Sequence, residues 1–305
     1  MLTPETLGVN APDQIEVTTT PFISQQRYQC GPAALASVLQ HSGVDISDDE
    51  LVPQIYLPER QGSLQVELLA ASRRYNRIPY VIKPDIQSLA QALQDDYPVI
   101  VLQNLGLRGY PAWHYAVVIG YSRADDQIVL RSGTQRRLTM SVRHFLRTWR
   151  ASDNWGMIPL RPGDIPASAD SDRYLAALAA METVADSSTL QTAYASALER
   201  WPGNTSALFG LAGTLHAQGK LSEAQQRYIE LLALRADHIP ALNNLAELYA
   251  DRGCRALAAN TIKKALSLNN GKQPLDALLL ETRDRIMADP PTAGQRVTTT
   301  DSNCL

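Results

Sequence analysis

Apolar residues recur at helical spacing in the segment QCGPAALASVLQHSG, which begins at Gln29. The recurring positions are Ala34, Leu35, Val38 and Leu39. Pro32 suits the first turn of a helix, where a missing N–H costs nothing, and Gly43 lies where this helix would end. The pattern therefore predicts a helix that begins at or just after Cys30.

From this helix to residue 160, helical periods alternate with short apolar runs that are typical of strands. Predicted helices follow the capping box at Ser47–Glu50, cover about 63–75, and begin after Asp85 and after Ser141. The predicted strands are YVIKP, YPVIVLQNL, WHYAVVIGYS, DQIVLRS and WGMIPL, with a hairpin around residues 124–126. Because helices come first and strands cluster later, we expect an α+β domain over residues 17–160, after a polar lead-in at 1–16.

Beyond a Pro-, Gly- and Ser-rich stretch at 161–170, which we interpret as a linker, a repeat of 34 residues begins. Its shared positions are Gly219 and Gly253, Ala224 and Ala258, and Tyr228 and Ile262. Small residues at fixed places let two helices pack closely, and the glycine makes the turn between them. We expect an all-α domain of three such repeats with a capping helix over 171–290, and a disordered tail at 291–305.

The composition narrows the possible functions. The formal net charge is −3 and the pI is near 6.0, and no basic patch suggests nucleic acid as a partner. The three cysteines, Cys30, Cys254 and Cys304, are far apart, so we expect neither a disulfide framework nor a zinc site, and no cofactor. No stretch approaches a transmembrane span and no signal peptide is visible. As written, the sequence predicts a cytoplasmic protein; a place in the cell envelope would require a trimmed export signal.

Cys30 and His114 are the candidate catalytic pair. Cys30 lies at the predicted N-terminus of a helix, where the partial positive charge favours the thiolate, which is the reactive nucleophile. His114 opens the apolar run WHYAVVIGY, 84 residues downstream. Cysteine peptidases of papain-like architecture carry the cysteine on a helix and the histidine on a later strand, in this order. We therefore predict that the thiol of Cys30 has a low pKa.

Residues 20–160 resemble the double-glycine peptidases, which are papain-like cysteine peptidases that process bacteriocin leader peptides. The resemblance rests on Gln25, on Cys30-Gly31-Pro32-Ala33 and on His114-Tyr115-Ala116-Val117-Val118. The second half of the chain resembles the tetratricopeptide repeat, and the whole is similar to bacterial proteins that join the two kinds of domain. The resemblance implies that Cys30 attacks a peptide carbonyl and that His114 takes and returns the proton. It also implies that Gln25 and the Cys30 backbone N–H stabilise the oxyanion.

The position of the glutamine departs from the family pattern. The family usually has six positions from the glutamine to the cysteine, whereas Gln25 lies five before Cys30 and Ser24 lies six before it. Gln26 and Gln29 are neighbouring candidates for the same role.

The third catalytic position departs as well. The family usually places Asp-Pro on the strand after the histidine, where this chain has Ser132-Gly133. We expect the Ser132 hydroxyl to accept the Nδ1–H of His114 without supplying a negative charge. Asn104 and Asp126 are other candidates for the orienting role, and the sequence does not select between them.

The sequence thus predicts a cysteine peptidase that hydrolyses a peptide or isopeptide bond through a thioester on Cys30, with His114 as base. The resemblance implies a peptide or protein substrate with small residues before the cut. The repeats would offer a concave groove to a protein partner. Two alternatives stay open: a weak or inactive peptidase fold that binds peptides as an adaptor, and an acyltransferase in which an amine captures the thioester.

Overall fold

The structure is a computed structural model that describes residues 2, 3, 7, 11–25, 28–107, 109–271, 274–288 and 304. The contacts divide the chain into two compact units, Met1–Thr189 and Leu190–Leu305. Among the described residues, no helix combines the length and the apolar character that crossing a bilayer requires.

The first unit joins a sheet to helices that precede, interrupt and follow its strands. Its helices are α1 (Cys30–His41), α2 (Asp48–Ile55), α3 (Gln65–Arg74), α4 (Ile86–Gln94), α5 (Val142–Trp149) and α6 (Ser171–Ala179). Its strands are β1 (Gln14–Glu16), β2 (Ile78–Val81), β3 (Val99–Asn104), β4 (Trp113–Ser122), β5 (Gln127–Ser132), β6 (Gln135–Ser141) and β7 (Gly156–Leu160). Short 3₁₀ turns lie at Pro58–Arg60 and Arg150–Ser152.

The strands form one seven-stranded sheet in the order β2-β7-β3-β4-β5-β6, with β1 paired to the far end of β4. Every described strand pair is antiparallel. In this register His114 of β4 lies opposite Gln103 of β3, and Val117 lies opposite Arg131 of β5. The ends of β4 and β5 that carry His114 and Ser132 therefore come together.

Helix α1 packs on one face of this sheet. Leu35 and Leu39 are fully buried in a core cluster with Tyr115, Val117 and Ile119, which alternate along β4 and so share one face. The predicted helix is confirmed with its start at Cys30, and Gly43 just beyond its end has φ +86°, a conformation that favours glycine. The predicted capping box is also present, since Ser47 and Glu50 each accept a hydrogen bond from the other's backbone N–H.

The second unit is a succession of antiparallel helix pairs, as the 34-residue period predicts. Its helices are α7 (Ser187–Arg200), which begins in the first unit, α8 (Thr205–Ala217), α9 (Leu221–Leu234), α10 (Ile239–Asp251), α11 (Arg255–Asn269) and α12 (Leu275–Ala288). The turns between the paired helices α8–α9 and α10–α11 use Gly219 (φ +73°) and Gly253 (φ +76°). At the repeated interior positions, Ala224 and Ala258 are fully buried, which lets the helices approach closely.

The division between the units falls after the predicted linker at 161–170. Helix α6, which we assigned by sequence to the repeats, packs on β2: the Tyr80 and Tyr174 rings lie 6.4 Å apart. Asp170, the N-cap of α6, donates its backbone N–H to the Tyr80 hydroxyl at 3.0 Å, and its carboxylate pairs with Lys83 at 3.3 Å. Because of these contacts the first compact unit continues to Thr189.

The sequence led us to expect no disulfide framework, but the structure contains one disulfide bond. Cys254 and Cys304 are bonded to each other across a sequence separation of 50, and Cys30 is the free cysteine. The predicted disordered tail at 291–305 lies outside the described residues except for Cys304.

Candidate active site

Cys30 is the first residue of α1, and its thiol contacts the backbone of Tyr115 in β4. The side chain of the N-cap residue, Gln29, makes no hydrogen bond to the N–H groups in the first turn of α1. Burial raises the pKa of the Cys30 thiol, and hydrogen bonds from the backbone at Tyr115, Gly31 and Cys30 itself oppose this only in part. The predicted low pKa is therefore wrong in direction, because desolvation of the thiolate outweighs the field of the helix terminus.

His114 lies near the start of β4, and Ser132, the last residue of β5, is its neighbour. The Ser132 Oγ lies 2.9 Å from Nε2 of His114, a hydrogen-bond distance. The ring atom is Nε2, whereas the sequence led us to expect Nδ1. Burial lowers the pKa of His114, so the neutral imidazole is favoured.

The Cys30 thiol contacts the backbone of Tyr115, the residue that follows His114 in β4. Within the described residues, no hydrogen bond joins the thiol and the ring. Burial disfavours the charged form of each group, so the arrangement favours a neutral thiol and a neutral imidazole over a preformed ion pair.

Gln25 connects the strands that carry His114 and Ser132. Its Nε2 donates to the Tyr115 carbonyl at 3.2 Å, and its Oε1 accepts from the Gly133 N–H at 3.0 Å. Its own backbone N–H also donates to the Gly133 carbonyl at 3.0 Å. A primary amide nitrogen has two hydrogens, so one remains for an oxyanion. Gln25 thus has a bracing role at the site that the sequence did not predict.

The other candidates for orienting the imidazole, Asn104 and Asp126, make hydrogen bonds to other parts of the chain. The side-chain Oδ1 of Asn104 accepts hydrogen bonds from the backbone N–H groups of Gly106 and Ala112, both at 2.9 Å, and so closes the loop before β4. Asp126 accepts the Leu2 N–H at the far end of β5.

Of the remaining glutamine candidates, Gln26 lies outside the described residues. Ser24 is exposed, and the buried Oε1 of Gln29 has no hydrogen-bond partner among the described residues.

Sequence reasoning missed the role of Ser63, which precedes α3. A Cβ on Gly31 would lie 2.5 Å from Oγ and 2.7 Å from Cβ of Ser63, so Ser63 packs directly against Gly31, the residue after Cys30. Within the part of the chain that the structure describes, the buried Ser63 Oγ has no hydrogen-bond partner, and the Tyr115 hydroxyl donates to the Ser63 carbonyl at 3.4 Å. The signal in the sequence is Gly31 itself, since only a residue without a side chain fits there.

Two protein-family models match parts of the chain. Residues 17–157 match the model of the Peptidase_C39 like family, and residues 191–249 match the model of the tetratricopeptide repeat. The chain therefore carries a C39-peptidase-like α/β domain followed by a helical region with tetratricopeptide repeats, as predicted. A search of curated proteins finds no match.

The solved structures that are similar to this chain are distant from it in sequence. A structure described as a C39-like peptidase from Bacillus anthracis is 15% identical over 48% of this chain and 96% of its own, with a TM-score of 0.41. The peptidase domain of Streptococcus ComA, a bifunctional ABC transporter, is 24% identical over 46% of this chain and 96% of its own, with a TM-score of 0.36. The Sgt2 tetratricopeptide-repeat domain from Aspergillus fumigatus is 21% identical over 43% of this chain and 92% of its own, with a TM-score of 0.35.

Proposed function

We propose that the protein is a cysteine peptidase that cleaves a peptide bond through a thioester on Cys30. Two observations carry the proposal. The thiol at the start of α1 contacts the backbone of Tyr115, which follows His114 in β4, and the Ser132 hydroxyl lies 2.9 Å from Nε2 of His114. The match of residues 17–157 to a family of peptidase-like proteins supports the same reaction class.

The first half-reaction begins with the Cys30 thiol and the His114 imidazole both neutral. As Sγ of Cys30 attacks the substrate carbonyl carbon, Nδ1 of His114 accepts the thiol proton, because Nε2 faces Ser132. The backbone N–H of Cys30 and the second amide hydrogen of Gln25 stabilise the oxyanion. When the tetrahedral intermediate collapses, the C–N bond breaks, His114 gives its proton to the leaving amine and a thioester remains.

The second half-reaction regenerates the thiol. Water attacks the thioester carbon while His114 accepts a water proton. The C–S bond then breaks, the sulfur takes the proton back from His114, and the carboxylic acid leaves.

Ser132 orients the imidazole in this scheme but adds no charge. In the Ser-His-Asp enzymes, loss of the orienting carboxylate lowers turnover by about 10⁴. A neutral hydroxyl restores the orientation and leaves the imidazolium without a counter-ion. We therefore expect slow turnover. The repeats would bind a protein partner and so raise the local concentration of the substrate.

The test is a digestion of a complex peptide library by the full chain, with cleavage sites identified by mass spectrometry. The proposal expects new peptide termini with the unaltered protein and none with Cys30→Ala or His114→Ala. His144→Ala is a matched control, because it removes an exposed histidine outside the site and should leave the cleavage pattern unchanged. An amine added at high concentration distinguishes acyl transfer, since amide products would then replace the free acids.

A second candidate function is a peptide-binding adaptor with the peptidase fold. It is favoured by the raised pKa of the Cys30 thiol and by the bracing hydrogen bonds that occupy Gln25. An adaptor would bind library peptides equally well with and without the Cys30→Ala change and would release them uncut.

A further inference from the structure

Arg131 is a buried arginine that directly precedes Ser132 in β5. It is 8% exposed, burial lowers its pKa, and the charge of Arg136 lowers that pKa further. Among the described residues, no carboxylate forms an ion pair with Arg131. A buried cation of this kind destabilises the fold unless hydrogen bonds compensate it, so the contacts of its guanidinium explain why it is tolerated.

The guanidinium of Arg131 joins two segments that are distant in the sequence. Its Nη2 donates to the Thr20 carbonyl at 3.1 Å, and its Nη1 donates to the Arg136 carbonyl. Thr20 is itself 2% exposed, so the first of these bonds is made in the interior. Because a guanidinium presents its N–H groups in a rigid fork, one arginine fixes both carbonyls relative to each other, which the single ammonium of a lysine cannot do.

The second of these bonds lies where the register of β5 and β6 shifts, directly before Ser132. Leu130 pairs with Leu138, whereas Ser132 pairs with Gln135, so a single residue of β5, Arg131, lies opposite two residues of β6. Such a bulge redirects the side chains beside it and is common next to active sites. The carbonyl that Arg131 holds belongs to this bulge. The direction of the Ser132 side chain therefore depends on how the bulge is fixed.

The Ser132 hydroxyl has a demanding geometry to satisfy, since its Oγ lies 2.9 Å from Nε2 of His114 and a hydrogen bond weakens steeply when it is misaligned. On the far side of Ser132, Gly133 is held by Gln25. We propose that Arg131 is a positioning residue, whose guanidinium fixes the bulge and so orients the Ser132 hydroxyl toward His114. As a statement about catalysis this inference rests on the proposed function, whereas its effect on the imidazole can be measured without a substrate.

The first test measures the ring nitrogen signals of His114 by NMR in the full chain labelled with nitrogen-15 histidine, with His114→Ala to assign them. Ser132→Ala removes the hydroxyl and should shift these signals. Arg131→Met removes both hydrogen bonds but keeps an unbranched stem, and it should shift the signals in the same direction. Arg131→Lys keeps the charge without the fork and should act likewise, also where Arg131→Met does not fold. Arg143→Met is the matched control, because it makes the same change at an exposed arginine of α5 and should leave the signals unmoved.

The second test measures cleavage of a peptide found in the library digestion. Arg131→Met should lower kcat about 2- to 13-fold with KM little changed, the range expected for one neutral hydrogen bond. In a Ser132→Ala protein the same change should slow cleavage less than about 2-fold, because Arg131 acts through the missing hydroxyl.

The two tests fail in distinguishable ways. His114 signals that stay unshifted in Ser132→Ala or in both Arg131 variants would overturn the proposal, as would an Arg131→Met effect on kcat of equal size with and without the Ser132 hydroxyl. If the unaltered protein cleaves no peptide, the proposed function fails, and the nitrogen signals still decide whether Arg131 orients Ser132.

Discussion

A methyl group added at Gly31 tests the packing between the start of α1 and Ser63. A Cβ there would lie 2.5 Å from Oγ and 2.7 Å from Cβ of Ser63, closer than real Cβ contacts. The start of α1 or the Ser63 segment must therefore shift, and overpacking of this kind costs about 1–3 kcal/mol. In an unobstructed helix, the same glycine-to-alanine change would instead stabilise the fold by about 0.5–1 kcal/mol.

We expect Gly31→Ala to lower the free energy of unfolding by about 1–3 kcal/mol, measured by urea titration with an unchanged m-value. Because the shift reaches Cys30, peptide cleavage should slow by up to about 10²-fold.

The control is the same Gly31→Ala change made in a Ser63→Gly protein, which lacks both clashing atoms. There, Gly31→Ala should be neutral or stabilising. An equal cost of Gly31→Ala in both backgrounds would refute the claim that Ser63 presses on the start of α1.

Three further changes probe the site itself. Ser132→Ala removes one neutral hydrogen bond of about 0.5–1.5 kcal/mol and should slow cleavage about 2- to 13-fold. Ser132→Asp should raise the pKa of His114 and move the acid limb of the pH–rate profile to higher pH; an unmoved limb would show that residue 132 does not act on the ring. Gln25→Ala leaves two backbone groups without partners and should cost about 1–3 kcal/mol in urea unfolding, and an unchanged midpoint would contradict its bracing role. Since burial raises the pKa of Cys30, iodoacetamide should label it faster as pH rises through and above the ordinary thiol range, and a rate already at its plateau in acid would contradict the neutral pair.

The features that local patterns encode were predictable. The start of α1 and the capping box at Ser47 depend on neighbours a few residues away, and the helix pairs of the second unit follow from a strict 34-residue period. The α+β domain was predictable because strand periods cluster after helical ones.

The features that depend on distant parts of the chain were not predictable. The thiol pKa follows from burial against β4, which competes with the helix terminus that the sequence displays. The hydrogen bonds of Gln25 need the Gly133 end of β5, 108 residues away. The Cys254–Cys304 bond joins residues whose spacing matches no local motif, and the extension of the first unit to α6 rests on the tyrosine contact at Tyr80.

The central claim is that Cys30 forms a covalent thioester with a peptide. The most direct measurement is intact-mass analysis of the full chain after acid quenching at short times with a peptide cleaved in the library digestion. The account predicts an adduct whose mass equals the acyl half of that peptide, located on Cys30, absent from Cys30→Ala and abolished by hydroxylamine. Saturating peptide binding without any adduct on Cys30 would contradict the account and identify the domain as a binder.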